Sequence, residues 1–531
     1  MNPIKSVFEN SRYIRIPTFP CPTHHTMLLI FLLAAIIFVP TDGACPSNRL
    51  WNGHTTTWLQ PNFCSRVIAG GGEPVVSQLY EPRGLHIDEE TDEILLVERE
   101  HPDGARVIRL DDALGDTKVV SVAEKWGLNH GLELSNGYLY ASTPGNVYRW
   151  VYTPGQDFAG NSSNAELVIE NIDDVANSTD LGAKGGHTTR TLAFDPNGQY
   201  LYVSTGSKGN VAFNSFRARI RRFDMSTWDG EPFDFTKGEV FADGLRNEVG
   251  LAFDSHGDLF GVENGADDLY REDLGGDIHN ENPGEELNRF RMDQVGDHWG
   301  YPYCFTEYCL STDVGGTGMK GGNNTIWAWP SFIEKGYTDQ WCRENTNPSV
   351  ISMPSHSAPL GITFLNWKNM TREEYERNGC KGGFPKALDK FAFIAFHGSW
   401  NREPPTGYKV VFVPFDQDGN ALYQPIDLFR HGGSSAKWKN GHIRPVDVQF
   451  DKCGRLYVTE DGTGSVILIT YEGDYFEEKL QLSDTDVADG KNCQTAPFPS
   501  SSTIMSSSSL SYISIVIAAS SLGLTWILLS S

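Results

Sequence analysis

A histidine preceded by two glycines, in Gly185-Gly186-His187-Thr188-Thr189-Arg190, is the residue of this chain best suited to move a proton. An unperturbed imidazole titrates near pH 6.5, so it can serve as a base close to neutrality. Similar short polar segments recur along the chain. They are Gly244-Leu245-Arg246-Asn247-Glu248, His356-Ser357-Ala358-Pro359 and Gly441-His442-Ile443-Arg444-Pro445, with Asn129-His130 and Arg83 further upstream. Gathered at one place, Arg83, Arg190, Arg246, Arg444, His130 and His187 would hold an anion, because a guanidinium grips a carboxylate with a two-pronged planar fork. The plainer alternatives are that His187 is structural and that the arginines pair with Glu248 and Asp447 to knit neighbouring elements together. A second set, Glu263-Asn264-Gly265-Ala266-Asp267-Asp268 followed by Glu285-Glu286-Leu287-Asn288, offers carboxylates and loop carbonyls of the kind calcium takes. Its spacing is not that of an EF-hand, and a solvated acidic loop is the competing reading.

Each polar segment stands just before a repeated pattern: an alternating apolar stretch, a turn, and a second apolar stretch. The six copies start at 84, 131, 191, 250, 361 and 447. GLELSNGYLYA and TLAFDPNGQYLYV show the form, with Asn-Gly at the turn of each as hairpins require. Copies about 70 residues apart have room for four strands plus loops, and radial repetition of such units makes a β-propeller. The expected fold is therefore all-β: a six-bladed β-propeller over residues 76–475, with disulfide-held loop insertions. A β-sandwich with accidental repeats is the alternative. In a propeller the segments before each copy converge on one mouth of the central channel. The long interval between Gly250 and Gly361, which contains Cys304, Cys309 and Cys342, reads as one insertion. The stretch with Asn369 and Cys380 reads as another.

Composition fits this reading. The 531 residues carry a net charge of −25, which makes nucleic acid an improbable partner. Length alone would suggest roughly three or four domains; the repeat assigns that length to blades instead. Residues 1–43 read as a signal peptide, with 13 apolar residues at Met27–Val39 after Lys5, Arg12 and Arg15. Residues 44–75 read as an N-terminal extension and 476–502 as a linker. Residues 503–531 read as a C-terminal hydrophobic tail, either a GPI-type signal or a membrane anchor, since no basic residue follows it. The protein is thus expected to be secreted and held at the cell surface. Cys21 falls in the removed segment, and eight cysteines remain for disulfides in an oxidising compartment. Sequence neighbours suggest Cys45–Cys64 and Cys304–Cys309, although spacing leaves the connectivity open. Sequons stand at Asn161, Asn177, Asn323 and Asn369.

From about residue 75 to 470 the chain resembles the quinoprotein glucose and sorbosone dehydrogenase family. The resemblance rests on GGHTTRTLAFDPNG, GLRNEVGLAFDSHGDLFGVENGADD, EELNRF, HSAPLGITF, HGSWNREPPTGYKVV and GHIRPVDVQFDKCGRLYVTEDG, in that order. It implies a propeller that holds pyrroloquinoline quinone (PQQ), a tricarboxylate, over the axis with Ca2+ beneath it, and that oxidises a sugar or sugar aldehyde for an external electron acceptor. His187 matches the family's proton-abstracting base. Arg246 and Asn247 match the pair at the quinone and its calcium, so Arg246 is expected to be catalytic as well as cofactor-binding. Arg444 matches a cofactor arginine. Gly265 and Ala266 match a Gly-Pro pair that gives carbonyls to the metal; alanine keeps the carbonyl but loosens the loop. Ser399, Trp400 and Arg402 are implied to line the cofactor pocket. Glucose-specific members carry a second arginine where this chain has Val446. Hedgehog-interacting proteins share the propeller and act as surface binders; the joint presence of His187, Arg246-Asn247 and Arg444 favours the enzyme over that alternative. No CxxCH haem motif is present.

Overall fold

Alternating apolar residues around a tight turn give a hairpin with one face to bury. In the computed structural model, which describes residues 57–480 except 71–78, 89, 112–116, 173–185, 417, 423 and 432–442, all six sequence copies form antiparallel strand pairs, five around a short turn and the fifth across its insertion. In the second copy Asn136 and Gly137 take φ of 51° and 78° at the turn, as a two-residue hairpin loop requires. Further strands complete each sheet, which makes six blades; in blades 1–5 the first four strands are antiparallel and run inner to outer in sequence, and Phe233–Asp234 adds a fifth, parallel strand to blade 2 beside Glu166–Glu170. Blade 4, for example, runs Glu248–Phe253, Leu259–Glu263, Glu285–Phe290, Ile351–Met353. The six innermost strands touch one another in sequence order, and the last, Pro445–Phe450, returns to the first, Pro82–Ile87. The expected six-bladed propeller is what the chain forms.

The ring closes with the segment expected to lie before the propeller. Phe63–Gly70 pairs antiparallel with Ser465–Tyr471 as the outer strand of blade 6, and Thr57–Leu59 adds a fifth strand to blade 5. Joining an early strand and the last strand of the propeller in one sheet removes the open edge that a linear array would leave. The start of each repeat then has a steric reason. A Cβ on Gly84 would lie 1.9 Å from His130 O, on Gly131 2.2 Å from Arg190 O, and on Gly250 2.7 Å from Leu360 O. Neighbouring inner strands therefore pack backbone to backbone at the axis. Where the repeat starts with Thr191 or Asp447 instead, the side chain bonds the next blade, at Val249 O and at Leu85 N respectively.

Apolar residues between successive blades form the core, such as Phe260, Val262, Leu287, Ile394, Phe396 and Val411 between blades 4 and 5. The insertion in blade 4 carries a small two-stranded sheet, Cys304–Thr306 with Ile326–Ala328, and the helix Asp339–Asn345. Its disulfide joins Cys304 to Cys342, which corrects the expected Cys304–Cys309 pair. The helix returns Cys342 to the strand that bears Cys304. Cys380 in the second insertion is joined to Cys453 in the hairpin turn of blade 6. Asn161, Asn323 and Asn369 are all exposed. The signal peptide, the tail, Cys45, Cys493, Asn177 and His442 lie outside the described residues. Among the described residues no helix is long and apolar enough to cross a membrane.

Candidate functional site

The loops before each inner strand, and those joining second to third strands, meet at one mouth of the channel. His187 enters from the loop before blade 3. Its Nδ1 lies 2.9 Å from Ser207 O, so that nitrogen carries the proton and Nε2 is left with its lone pair. Ser207 belongs to the loop after Tyr200–Thr205, and Ser207 N in turn donates to Arg246 O at 2.7 Å. Gly206 makes the contact possible: a Cβ there would stand 2.4 Å from Asn247 Oδ1 and 2.6 Å from His187 Cβ. His187 and Asn247, expected at one site, are therefore brought together by a residue that has no side chain. Burial, then the Arg246 charge, pushes the His187 imidazole down to about 4, with Arg217 and Arg190 adding to the effect and the Ser207 carbonyl opposing it. The ring is a free base at neutral pH.

Arg246 is clamped rather than swinging. Its Nε donates to Asn210 O, Nη1 to Asn264 O, and Nη2 to Asn210 Oδ1 and Asp267 Oδ2, each at 3.1 Å. Its backbone N–H is taken by Glu263 Oε1. One turn of loop beyond Glu263 come Gly265 and Ala266. Among the described residues neither of their carbonyls accepts a hydrogen bond, while Gly265 N donates to the buried Glu285 carboxylate at 2.7 Å. Burial pushes Glu285 up to about 8. Two uncommitted carbonyls suit a hard cation.

Arg444 reaches the mouth from the loop before blade 6 and meets a residue the sequence reading did not single out. Arg444 Nη2 lies 2.8 Å from His397 Nδ1, and His397 Nε2 lies 2.7 Å from Asp461 Oδ1. A donor on one nitrogen and an acceptor on the other fix His397 as the neutral, Nε2-protonated tautomer, and burial lowers its pKa in the same sense. Arg83 Nη1 donates to the other Asp461 oxygen at 2.6 Å. Burial alone would raise the Asp461 carboxyl, but His397, Arg83 and Arg444 hold it below the usual carboxylate range. The only sequence sign of this chain was that His397 and Asp461 stood inside conspicuous motifs; they are 64 residues apart and meet by folding.

Several expectations change. Arg83 does bridge blades, but through Asp461 and not through Glu248 or Asp447. Arg190 is buried away from the opening, with Nε on Pro144 O and Nη1 on His187 O and Thr189 O. His130 is buried too; burial and the Arg83 charge push it down to about 3. Ser399 is spent inside its own loop: its Oγ donates to Thr406 O and accepts from Thr406 N, and its carbonyl accepts from Tyr408. Arg402 binds Glu281 at 2.6 Å and Asn280 O, which ties the blade 5 loop to the blade 4 loop. Next to it, Asn401 donates to Asp267, the residue that also holds Arg246. Ser399 and Arg402 thus shape the wall, and of the Arg402 donors only the buried Nε is left without a partner among the described residues. Val446, where an arginine was the other possibility, is fully buried against Val249 and Leu360, on three adjacent inner strands. A larger void of about 640 Å³ opens at the opposite end of the channel, lined by His86, Asp88, Glu133, Phe253, Phe364 and Gln449, and it contains none of these groups.

The mouth therefore combines fixed guanidinium groups, an uncharged base and two open carbonyls. These groups fit PQQ with Ca2+: arginines for its carboxylates and the carbonyls for the ion. A family model described as TrAA12-like matches residues 71–472. A PQQ-dependent pyranose dehydrogenase of Coprinopsis cinerea is 29% identical over 446 residues, and the chain spans only 55% of that relative's length. A PQQ-dependent sugar dehydrogenase of Hypocrea jecorina is 29% identical over 485 residues, covering 85% of this chain and 97% of the relative. Among solved structures, the holo PQQ domain of the Coprinopsis cinerea pyranose dehydrogenase matches with a TM-score of 0.63 at 26% identity, covering 79% of this chain and 98% of that one. A calcium structure of a Trichoderma reesei enzyme of carbohydrate-active family AA12 matches with a TM-score of 0.66 at 26% identity, covering 80% and 99%.

Proposed function

Because this chain belongs to the TrAA12-like family, we propose that it is a PQQ-dependent dehydrogenase that oxidises a sugar, of pyranose or sorbosone type, and passes the electrons to an external acceptor. The observation that carries this reading is His187: its proton is fixed on Nδ1 by Ser207 O, its Nε2 is open, and its pKa is depressed beside Arg246 and Asn247. When bound, PQQ supplies the two-electron acceptor for a hydride from the sugar carbon. The chain supplies the rest. His187 Nε2 takes the proton from the sugar hydroxyl as its C–H bond breaks. Arg246 and Arg444 meet negative charge with donors that their neighbours already orient, so little reorganisation is needed. Asn247 stands against His187 at Gly206 and limits where the sugar oxygen can sit. Gly265 and Ala266 would hold Ca2+ through their carbonyls.

The Cys304–Cys342 and Cys380–Cys453 disulfides and the exposed sequons support a secreted protein. With the signal peptide and the C-terminal tail, we read it as anchored at the cell surface. The test is reconstitution: PQQ and Ca2+ are added to the purified ectodomain, and dye reduction is followed with a panel of aldoses and osones. A bound-quinone absorption band and turnover of at least one sugar are expected. No quinone band and no turnover would refute the proposal.

A further inference from the structure

On the reading that the mouth oxidises a sugar, we propose that Trp126 and Phe213 form an outer subsite that stacks the further rings of an oligosaccharide, so that the unit oxidised at His187 is the end of a chain. These two rings are 84% and 82% exposed, and their loops are of the two kinds that open at the mouth, one leading into the inner strand of blade 2 and the other joining the second and third strands of blade 3. Leaving a large aromatic ring in water forgoes the burial that usually retains such residues, so two beside one opening call for an occupant.

Both loops are bonded to the His187 segment. Asn129, three residues after Trp126, donates to Thr188 O at 2.8 Å, next to His187 itself. On the other side, Ser207 and Asn210 of the Phe213 loop hold His187 and Arg246. Ala212 N, adjacent to Phe213, donates to the Tyr301 hydroxyl at 2.8 Å, which anchors the loop to the blade 4 insertion. Lys335 Nζ lies 5.4 Å from the Phe213 ring centre, so the ring has a cation on one side. The rings thus stand on fixed loops flanking the base, one between blades 1 and 2 and the other in blade 3.

The groups nearest these loops decide the class of occupant. Arg246, Asp267, Asn210 and Asn401 are polar, and a flat apolar partner would strip their water without replacing it. A sugar presents hydroxyls to such groups and a C–H face to an aromatic ring. Contact with both rings while a terminal unit reaches His187 needs a ligand longer than one pyranose.

The test compares the reconstituted enzyme with Trp126→Ala, Phe213→Ala and the double variant. Substrates are a monosaccharide that the enzyme turns over and the di- to tetrasaccharides that end in it. The expected result is that kcat/KM rises with chain length in the parent and that each variant loses about tenfold on the tetrasaccharide, a stacking effect of ordinary size. Monosaccharide turnover should stay within about twofold, since these rings lie outside the machinery that holds proton and cofactor. No gain with chain length, or equal losses on short and long substrates, would overturn the subsite. A second readout is independent of turnover: migration of the cofactor-free protein in native gels containing soluble glucan, xylan or galactan. Retardation by one of the polysaccharides that the double variant abolishes supports the subsite even if no sugar is oxidised. Turnover of a monosaccharide without retardation in any of the gels refutes the subsite while leaving the dehydrogenase reading intact.

Discussion

Replacing His187 by asparagine separates the two things its ring does. An asparagine amide can still donate toward Ser207 O, now met at 2.9 Å, but it has no basic nitrogen in place of Nε2. A positioned general base contributes about 10²–10⁴-fold, so kcat should fall by that factor, or roughly 3–5 kcal/mol of barrier. Affinity for PQQ, measured by titration calorimetry, should stay within about threefold, because the arginines proposed to meet its carboxylates are untouched. The pH profile gives a second check. With the imidazole pushed down to about 4, the base form prevails throughout the neutral range. In the parent enzyme kcat/KM should be level from about pH 5.5 upward and fall below it with a midpoint near 4. Stability follows the same group. Its folded pKa lies below the unfolded value of 6.5, so the unfolded chain binds more protons between the two, and stability falls as pH drops from 6.5 towards 4. That loss approaches roughly 3 kcal/mol at the acid end, and His187→Asn should not show it. An acid limb near 6.5 in the parent, or an asparagine variant that retains a tenth of the activity, would refute the assignment of His187 as a buried base.

Three further outcomes are expected. Asp461→Asn removes the charge shared by Arg83 and His397 in a buried setting; denaturant titration should show a loss of about 3 kcal/mol, with weaker PQQ binding, and parental values for both would dismiss the Arg444–His397–Asp461 chain. Gly206→Ala puts a methyl group 2.4 Å from Asn247 Oδ1, so kcat should fall and stability drop by about 1–3 kcal/mol, whereas Gly209→Ala, which faces open space, should behave as the parent; identical effects from the two would be contrary to the steric argument. Burial raises Glu460 to about 7, so folding takes up a proton there between roughly pH 4.5 and 7 and stability is lost as pH rises through that range; Glu460→Gln should flatten the fall in melting temperature between pH 5.5 and 8, and an unchanged slope would count against it.

The sequence by itself determined the architecture. Alternation and turn residues are local and obey a period of two, so six hairpins could be counted, and the polar segments before them marked one face. It also pointed to His187, Arg246-Asn247 and Arg444 as candidates, because each stands three or four residues before a repeat, and repeats place such offsets at similar heights. Tertiary structure decided what those groups touch. That Arg190 and His130 turn inward, that Ser399 braces its own loop, and that Arg402 binds the neighbouring loop depended on loops without a period. Cys304 pairing with Cys342, the closure of blade 6 by Phe63–Gly70, and the His397–Asp461 link all join residues far apart in the chain. The charge state of His187 belongs to the same class, since the burial and the guanidinium neighbours that lower its pKa exist only after the blades have closed into a ring.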